Sequence, residues 1–126
     1  MATELPFGIN SPQYQFVKKD LETASQIHMT KWIVIYSYIP QYSSPTEHPG
    51  NREIRDAFQS LFQKYNVDLF LQAHSHNYQR TYPIEYNEMD TSNPIITDKN
   101  EAEYNDPEGI IYAVAGTAGT DLHKFT

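Results

Sequence analysis

Two histidines one residue apart, His74 and His76, close an apolar run over residues 67–73 and are followed at once by the polar, aromatic stretch Asn77-Tyr78-Gln79-Arg80. Side chains at i and i+2 of an extended backbone face the same side, and a neutral imidazole nitrogen is a common ligand of zinc, iron and manganese. One loop could therefore serve two neighbouring metal ions, or one ion and the groups around it. A His-x-His pair is also a frequent way for a strand to end in hydrogen-bonded surface groups. The pair takes its meaning from what the rest of the chain brings to it.

Residues 67–73 have the character of a buried strand that delivers the pair to the rim of a sheet. Ahead of them, Ile54, Ala57, Phe58, Leu61, Phe62 and Tyr65 recur at spacings of three and four, which predicts a helix over residues 52–65. Its solvent face would carry Arg55, Asp56, Gln59 and Gln63. Residues 31–38 are nearly continuously apolar and rich in β-branched and aromatic side chains, which predicts an interior strand covered on both faces. Strand, helix, strand in this order makes a parallel β-α-β unit. Ligands gather beyond the carboxyl ends of parallel strands, so Tyr38, His74 and His76 are expected to converge there.

The remaining elements frame this unit. Ser11-Pro12 starts a helix reaching about residue 25, with Phe16, Val17, Leu21 and Ala24 on its buried side. Residues 39–51, with three prolines and His48, form a long loop. Residues 77–84 suit a further strand stopped by Pro83, and residues 85–108 read as an acidic surface excursion. Residues 109–115 make a last strand, which ends in the small-residue turn Gly116-Thr117-Ala118-Gly119, where backbones can approach closely.

Composition narrows the classes. A length of 126 residues suits one small domain or part of a larger one. A formal net charge of −7 and a pI of about 5.0 argue against a nucleic-acid partner, whose phosphates call for clustered Lys and Arg. An anionic small substrate stays compatible with them, because metal ions supply positive charge locally. The absence of cysteine excludes disulfides, thiolate-bound zinc and thiol catalysis. No stretch approaches transmembrane length and the start lacks an export signal, so the chain as given reads as soluble, without a membrane partner and with its compartment unknown.

Four groups of residues come in a telling order: Ser11-Pro12-Gln13-Tyr14-Gln15-Phe16 with Lys19-Asp20-Leu21; Trp32-Ile33-Val34-Ile35 leading to Pro40 and Tyr42; Val67-Asp68 leading to Ala73-His74-Ser75-His76 with Tyr78 and Arg80; and residues 112–119. Their order and spacing resemble the second half of the catalytic domain of purple-acid-phosphatase-like metallophosphoesterases, in the calcineurin-like superfamily. The resemblance runs from about residue 12 to residue 119. It implies an α/β fold, a partial α/β/β/α sandwich with a mixed sheet, in which residues 1–126 form a single partial domain. It implies a metal-dependent hydrolase of phosphomonoesters, an acid-phosphatase-like activity. Two metal ions, iron with zinc, manganese or iron, would activate water and neutralise the phosphate oxygens. Carried over residue by residue, His74 resembles the ligand of the second, divalent ion and His76 the ligand of the first, usually ferric, ion. His48 resembles a histidine that contacts the substrate phosphate or protonates the leaving group.

The chain departs from the family pattern in three places. Ala73 stands where the family has glycine, and Tyr38 stands where it has a metal-binding histidine. A phenol must lose its proton to bind and is a poorer divalent ligand near neutral pH. The motifs Asp-x-Gly, Gly-Asp-x-x-Tyr and Gly-Asn-His-Asp/Glu, which supply the bridging aspartate and most other ligands, have no counterpart here. Asp68, Asp121 and Glu47 are the carboxylates that could stand in, none in a motif-like setting. A metal takes about four donors, so His74, His76 and Tyr38 by themselves would hold at most one ion, weakly.

Two readings follow. The chain is the carboxyl-terminal piece of a phosphohydrolase completed by a missing amino-terminal half or by another copy in a homo-oligomer, or it is a non-catalytic, truncated relative serving as a metal-binding or assembly module. Half a sandwich leaves an apolar sheet face uncovered, which favours association.

Overall fold

The hydroxyl of Ser11 accepts the Tyr14 amide at 3.1 Å and Pro12 fills the first helical position, so α1 runs Pro12–Gln26. The Asn51 side chain accepts the Ile54 amide at 3.0 Å in the same way and starts α2, Arg52–Lys64. The computed structural model describes residues 1–27, 31–44 and 48–125. Among them six strands follow in order: β1 Val34–Tyr36, β2 Leu69–Gln72, β3 Tyr78–Arg80, β4 Ile84–Glu85, β5 Ile95–Ile96 and β6 Ile111–Ala115.

The main sheet has the order β1-β2-β6-β3, with β1, β2 and β6 parallel and β3 antiparallel to β6. This is the expected α/β architecture: a mixed sheet containing a parallel β1-α2-β2 unit. The strand expected over residues 77–84 is divided: β3 stays in the sheet, while Ile84 opens β4, which pairs with β5 of the excursion as a separate antiparallel ribbon tied back to the sheet by a bridge between Ile84 and Ile110. No helix among the described residues is long and apolar enough to cross a membrane.

Register divides the sheet into two unlike faces. Ile35, Phe70 and Tyr112 stand side by side, and Phe70 meets Phe62, which stacks on Phe58, which meets Tyr14. Both helices therefore cover this face, and Phe58, Phe62 and Phe70 are fully buried. One residue along each strand, Tyr36, Leu71 and Ala113 stand in the next row and point the other way. Nothing among the described residues covers that row at its edge, where Tyr36 is 72% exposed.

Residues 31–38 therefore differ from the interior strand expected of them. β1 is three residues long and lies at the sheet edge, with Trp32, Val34, Tyr36 and Tyr38 all exposed. A continuous apolar run requires two covered faces, and the helices here lie on one. Phe16 is likewise 69% exposed, and the buried residues of α1 are Tyr14 and Leu21. At 100° per residue, Tyr14 and Leu21 share one stripe facing α2, while Phe16 lies about 200° round the helix from Tyr14. It is left in the groove beside Val34 and Tyr36.

The solvent face expected of α2 is also partly covered. Arg55 and Gln59 are buried. The excursion folds back over the helix, and Arg55 donates to Thr91 at 3.4 Å and Ser92 at 3.3 Å while lying over the Tyr42 ring. Gln59 accepts the Tyr42 hydroxyl at 2.5 Å.

Candidate functional site

Backbone pairing carries on past the ends of β1 and β2. The Ser37 amide donates to the Leu71 carbonyl at 3.0 Å and the Ala73 amide to the Tyr38 carbonyl at 3.1 Å, so Tyr38 is held beside the start of the histidine turn. His74 then adopts a φ of +65°, in the left-handed region that a non-glycine residue seldom occupies, and the chain reverses direction sharply. Two short-range bonds tighten the turn, Ser75 amide to Ala73 carbonyl and Asn77 amide to Ser75 carbonyl, both 2.8 Å. Ser75 is fully buried between the two histidines.

Gly116 supports this turn from beneath. Its amide donates to the Asn77 carbonyl at 3.2 Å, and a Cβ at position 116 would meet the Ser75 carbonyl oxygen. The small-residue turn after β6 thus serves close backbone approach, and what approaches is the histidine turn.

The proline loop is closed at its base by the Asn51 amide donating to the Pro40 carbonyl at 2.7 Å. Glutamine side chains pin its first part. Gln72 accepts the Gln41 amide, and Gln79 accepts the Ser44 amide, each at 2.5 Å. These ties bring His48 over the sheet rim, its ring centroid 4.1 Å from that of His74.

Tyr38, His48 and the His74–His76 pair, distant from one another in sequence, are brought to one place. Tyr38 lies 4.9 Å from His74, ring to ring. His123 joins them, 4.9 Å from His48 and stacked on His76 at 4.0 Å with 19° between the planes. Four of the five histidines of the chain therefore line one rim. His123 carries no motif and follows a glycine turn in a tail without regular structure, so no pattern in the sequence singles it out.

The carboxylates behave differently. Asp68 sits at the opposite end of β2, where its Oδ2 accepts the Ile33 amide at 2.7 Å and starts the pairing with β1. Asp121 reaches the rim, but through its backbone: its carbonyl oxygen lies 3.0 Å from Nδ1 of His76. Glu47 lies outside the described residues.

Electrostatics favour a neutral ring at His74. Partial burial, and then the neighbouring His48, His76 and His123 rings, hold its pKa below the usual 6.5, so the unprotonated, ligand-competent form persists to lower pH. A neutral His74 imidazole has the donor chemistry that a metal ion takes, and His76 adds a second imidazole on the same turn. Among the described residues no three His, Asp or Glu side chains are arranged to hold an ion, so the set is incomplete as it stands.

No family model matches the chain. It is similar to an acid phosphatase from Aspergillus ficuum, 32% identical over 85% of this chain and 17% of that protein. It is similar to human acid phosphatase type 7, 30% identical over 86% of this chain and 26% of the relative. The Arabidopsis thaliana protein named "Probable inactive purple acid phosphatase 27" is 31% identical over 98% of this chain and 20% of its own length. Among solved structures, a purple acid phosphatase isolated from yellow lupin (Lupinus luteus) seeds superposes with a TM-score of 0.81 at 27% identity, over 99% of this chain and 22% of that one. The chain spans about a fifth of the length of the relatives it matches.

Proposed function

Because the chain belongs to the purple-acid-phosphatase-like metallophosphoesterases, we propose that it is the portion of a metal-dependent phosphomonoester hydrolase that presents His74 and His76 to the metal site. The observation that carries this reading is the gathering of Tyr38, His48, His74 and His76 at the carboxyl ends of β1 and β2, where open α/β sheets place their ligands. His74 and His76 would each hold an ion, with the Tyr38 phenol beside His74 in the position of a third donor. Metal ions bound there supply charge neutralisation on phosphate oxygens and activation of water. The chain's own part is to orient the two imidazoles on a turn backed by Gly116 and to bring His48 within reach of the substrate phosphate or the leaving-group oxygen.

The remaining donors belong to sequence that this chain does not contain. A segment bearing them would also cover the exposed row at Val34, Tyr36 and Leu71, an apolar surface of the kind that marks an interface. We expect little hydrolysis of p-nitrophenyl phosphate by this chain alone, and a gain when the amino-terminal part of the catalytic domain is supplied as a second chain or fused ahead of it. With both parts folded, no gain would count against the proposal.

Tyr38, in the place of the family histidine, and the relative named as inactive favour a second reading, a non-catalytic module that binds one ion or none. Metal analysis separates the two versions. Stoichiometric iron, zinc or manganese that disappears in the His74→Ala, His76→Ala double variant excludes a module with no metal role.

A further inference from the structure

We propose that residues 120–123 form a clamp that sets the direction and tautomer of His76, with His123 as its positioning residue. Four hydrogen-bonding contacts and a ring stack converge on that one histidine. Its Nδ1 lies 3.0 Å from the Asp121 carbonyl oxygen and 3.3 Å from the Thr120 hydroxyl. The His76 amide donates to Nδ1 of His123 at 3.1 Å, and the His123 amide donates back to the His76 carbonyl at 2.9 Å. The two rings stack at 4.0 Å.

The proton positions follow from which atoms can only accept. The shorter contact of the His76 ring is to a carbonyl oxygen, which has no proton to give, so we place the hydrogen on Nδ1 and the lone pair on Nε2. The Thr120 hydroxyl, able to donate or accept, then serves as a second acceptor. The His76 amide is a donor, so Nδ1 of His123 carries a lone pair and the proton of the neutral ring sits on Nε2. The two stacked rings therefore hold opposite tautomers. A neutral histidine in water favours the proton on Nε2, the form in which that nitrogen cannot ligate a metal. The clamp reverses this preference at His76. A backbone carbonyl holding one ring nitrogen so that the other can bind is a recurrent arrangement at metal-ligating histidines.

That consequence for metal binding rests on the function proposed above, whereas the clamp itself is tested without any metal. The full chain carrying 15N-labelled histidine is measured by two-bond 1H–15N correlation above the histidine titration range, with His76→Gln identifying the His76 signals. The expected result is a pyrrole-type Nδ1 and a pyridine-type Nε2 for His76, and the reverse for His123. His123→Ala, which removes the acceptor and the stack, is expected to return the His76 proton toward Nε2. His123→Asn, whose Oδ1 replaces Nδ1 as acceptor of the His76 amide, is expected to restore the wild-type pattern. A zinc titration of the same proteins should show a loss of about tenfold or more in His123→Ala and recovery in His123→Asn. An Nε2-protonated His76 in the wild-type chain, or unchanged His76 tautomers in a folded His123→Ala, overturns the proposal. Tautomers as expected with no zinc uptake would leave the clamp standing and show that this chain binds no ion without the remaining donors.

Discussion

Two rows of side chains on the same three strands, Ile35-Phe70-Tyr112 and Tyr36-Leu71-Ala113, are offset by one residue and meet opposite surroundings. The former lies under two helices and is the centre of the core. The latter occupies the opposite face, exposed at Tyr36 and Leu71. Both are apolar. An apolar strand pattern therefore does not by itself say how many faces are covered, and the helices of this chain cover one.

The contrast can be broken most strongly from the covered side. Phe70→Ala removes a fully buried ring packed on Phe62 and Tyr112, and is expected to lower the unfolding free energy by about 3–5 kcal/mol in urea titrations. A loss under about 1 kcal/mol would show that the helix-covered face is not the centre of stability.

The rim where the two faces meet is more sensitive than its exposure suggests. Gly116→Ala would drive a methyl group into the Ser75 carbonyl, and is expected to cost roughly 1–3 kcal/mol while displacing the His74 and His76 signals in NMR spectra. Unchanged histidine signals would mean that the turn does not lean on residue 116.

A smaller effect sits at His74. Its folded pKa lies below the usual 6.5, so between those two values the unfolded chain binds more protons than the folded one. The contribution is fully present above pH 6.5 and is lost as the pH falls through the depressed folded value. His74→Gln should flatten this part of the stability–pH curve, measured by thermal melts at a series of pH values. A slope equal to that of the wild type would place the effect on another group.

The smallest effect on stability is expected on the open face. Tyr36→Ser should change the unfolding free energy by no more than about 0.5 kcal/mol, yet sedimentation should show weaker self-association if this face is the adhesive one. A wild-type chain that is monomeric at all concentrations would show that the row at Tyr36 and Leu71 does not drive assembly.

Much of this is legible from residues alone wherever the signal is local. Ser11-Pro12 and the three-and-four spacing from Ile54 to Tyr65 locate both helices within a residue or two, because capping and periodicity act over one or two turns. β2 and β6 lie within the apolar runs 67–73 and 109–115, whereas residues 77–84 divide between β3 and β4 and the excursion contains β5, pairings that local pattern does not show. Phe16, Arg55 and Gln59 depart from expectation because their burial depends on where α1 lies at the sheet margin, on an excursion that returns to Arg55 from more than thirty residues away, and on Tyr42 of the proline loop, whose hydroxyl meets Gln59.

By itself the sequence determined the α/β class, the β-α-β order and the delivery of two imidazoles to a strand end, since each follows from apolar periodicity and chain direction. Tertiary structure alone decided that β1 is an edge strand with one open face, and that His123 joins the rim beside His48, which the family resemblance implies for the site. It also decided that a backbone carbonyl from the tail faces His76. Those outcomes depend on loop closure and on hydrogen bonds between segments some 25 to 50 residues apart, which no local pattern of residue types encodes.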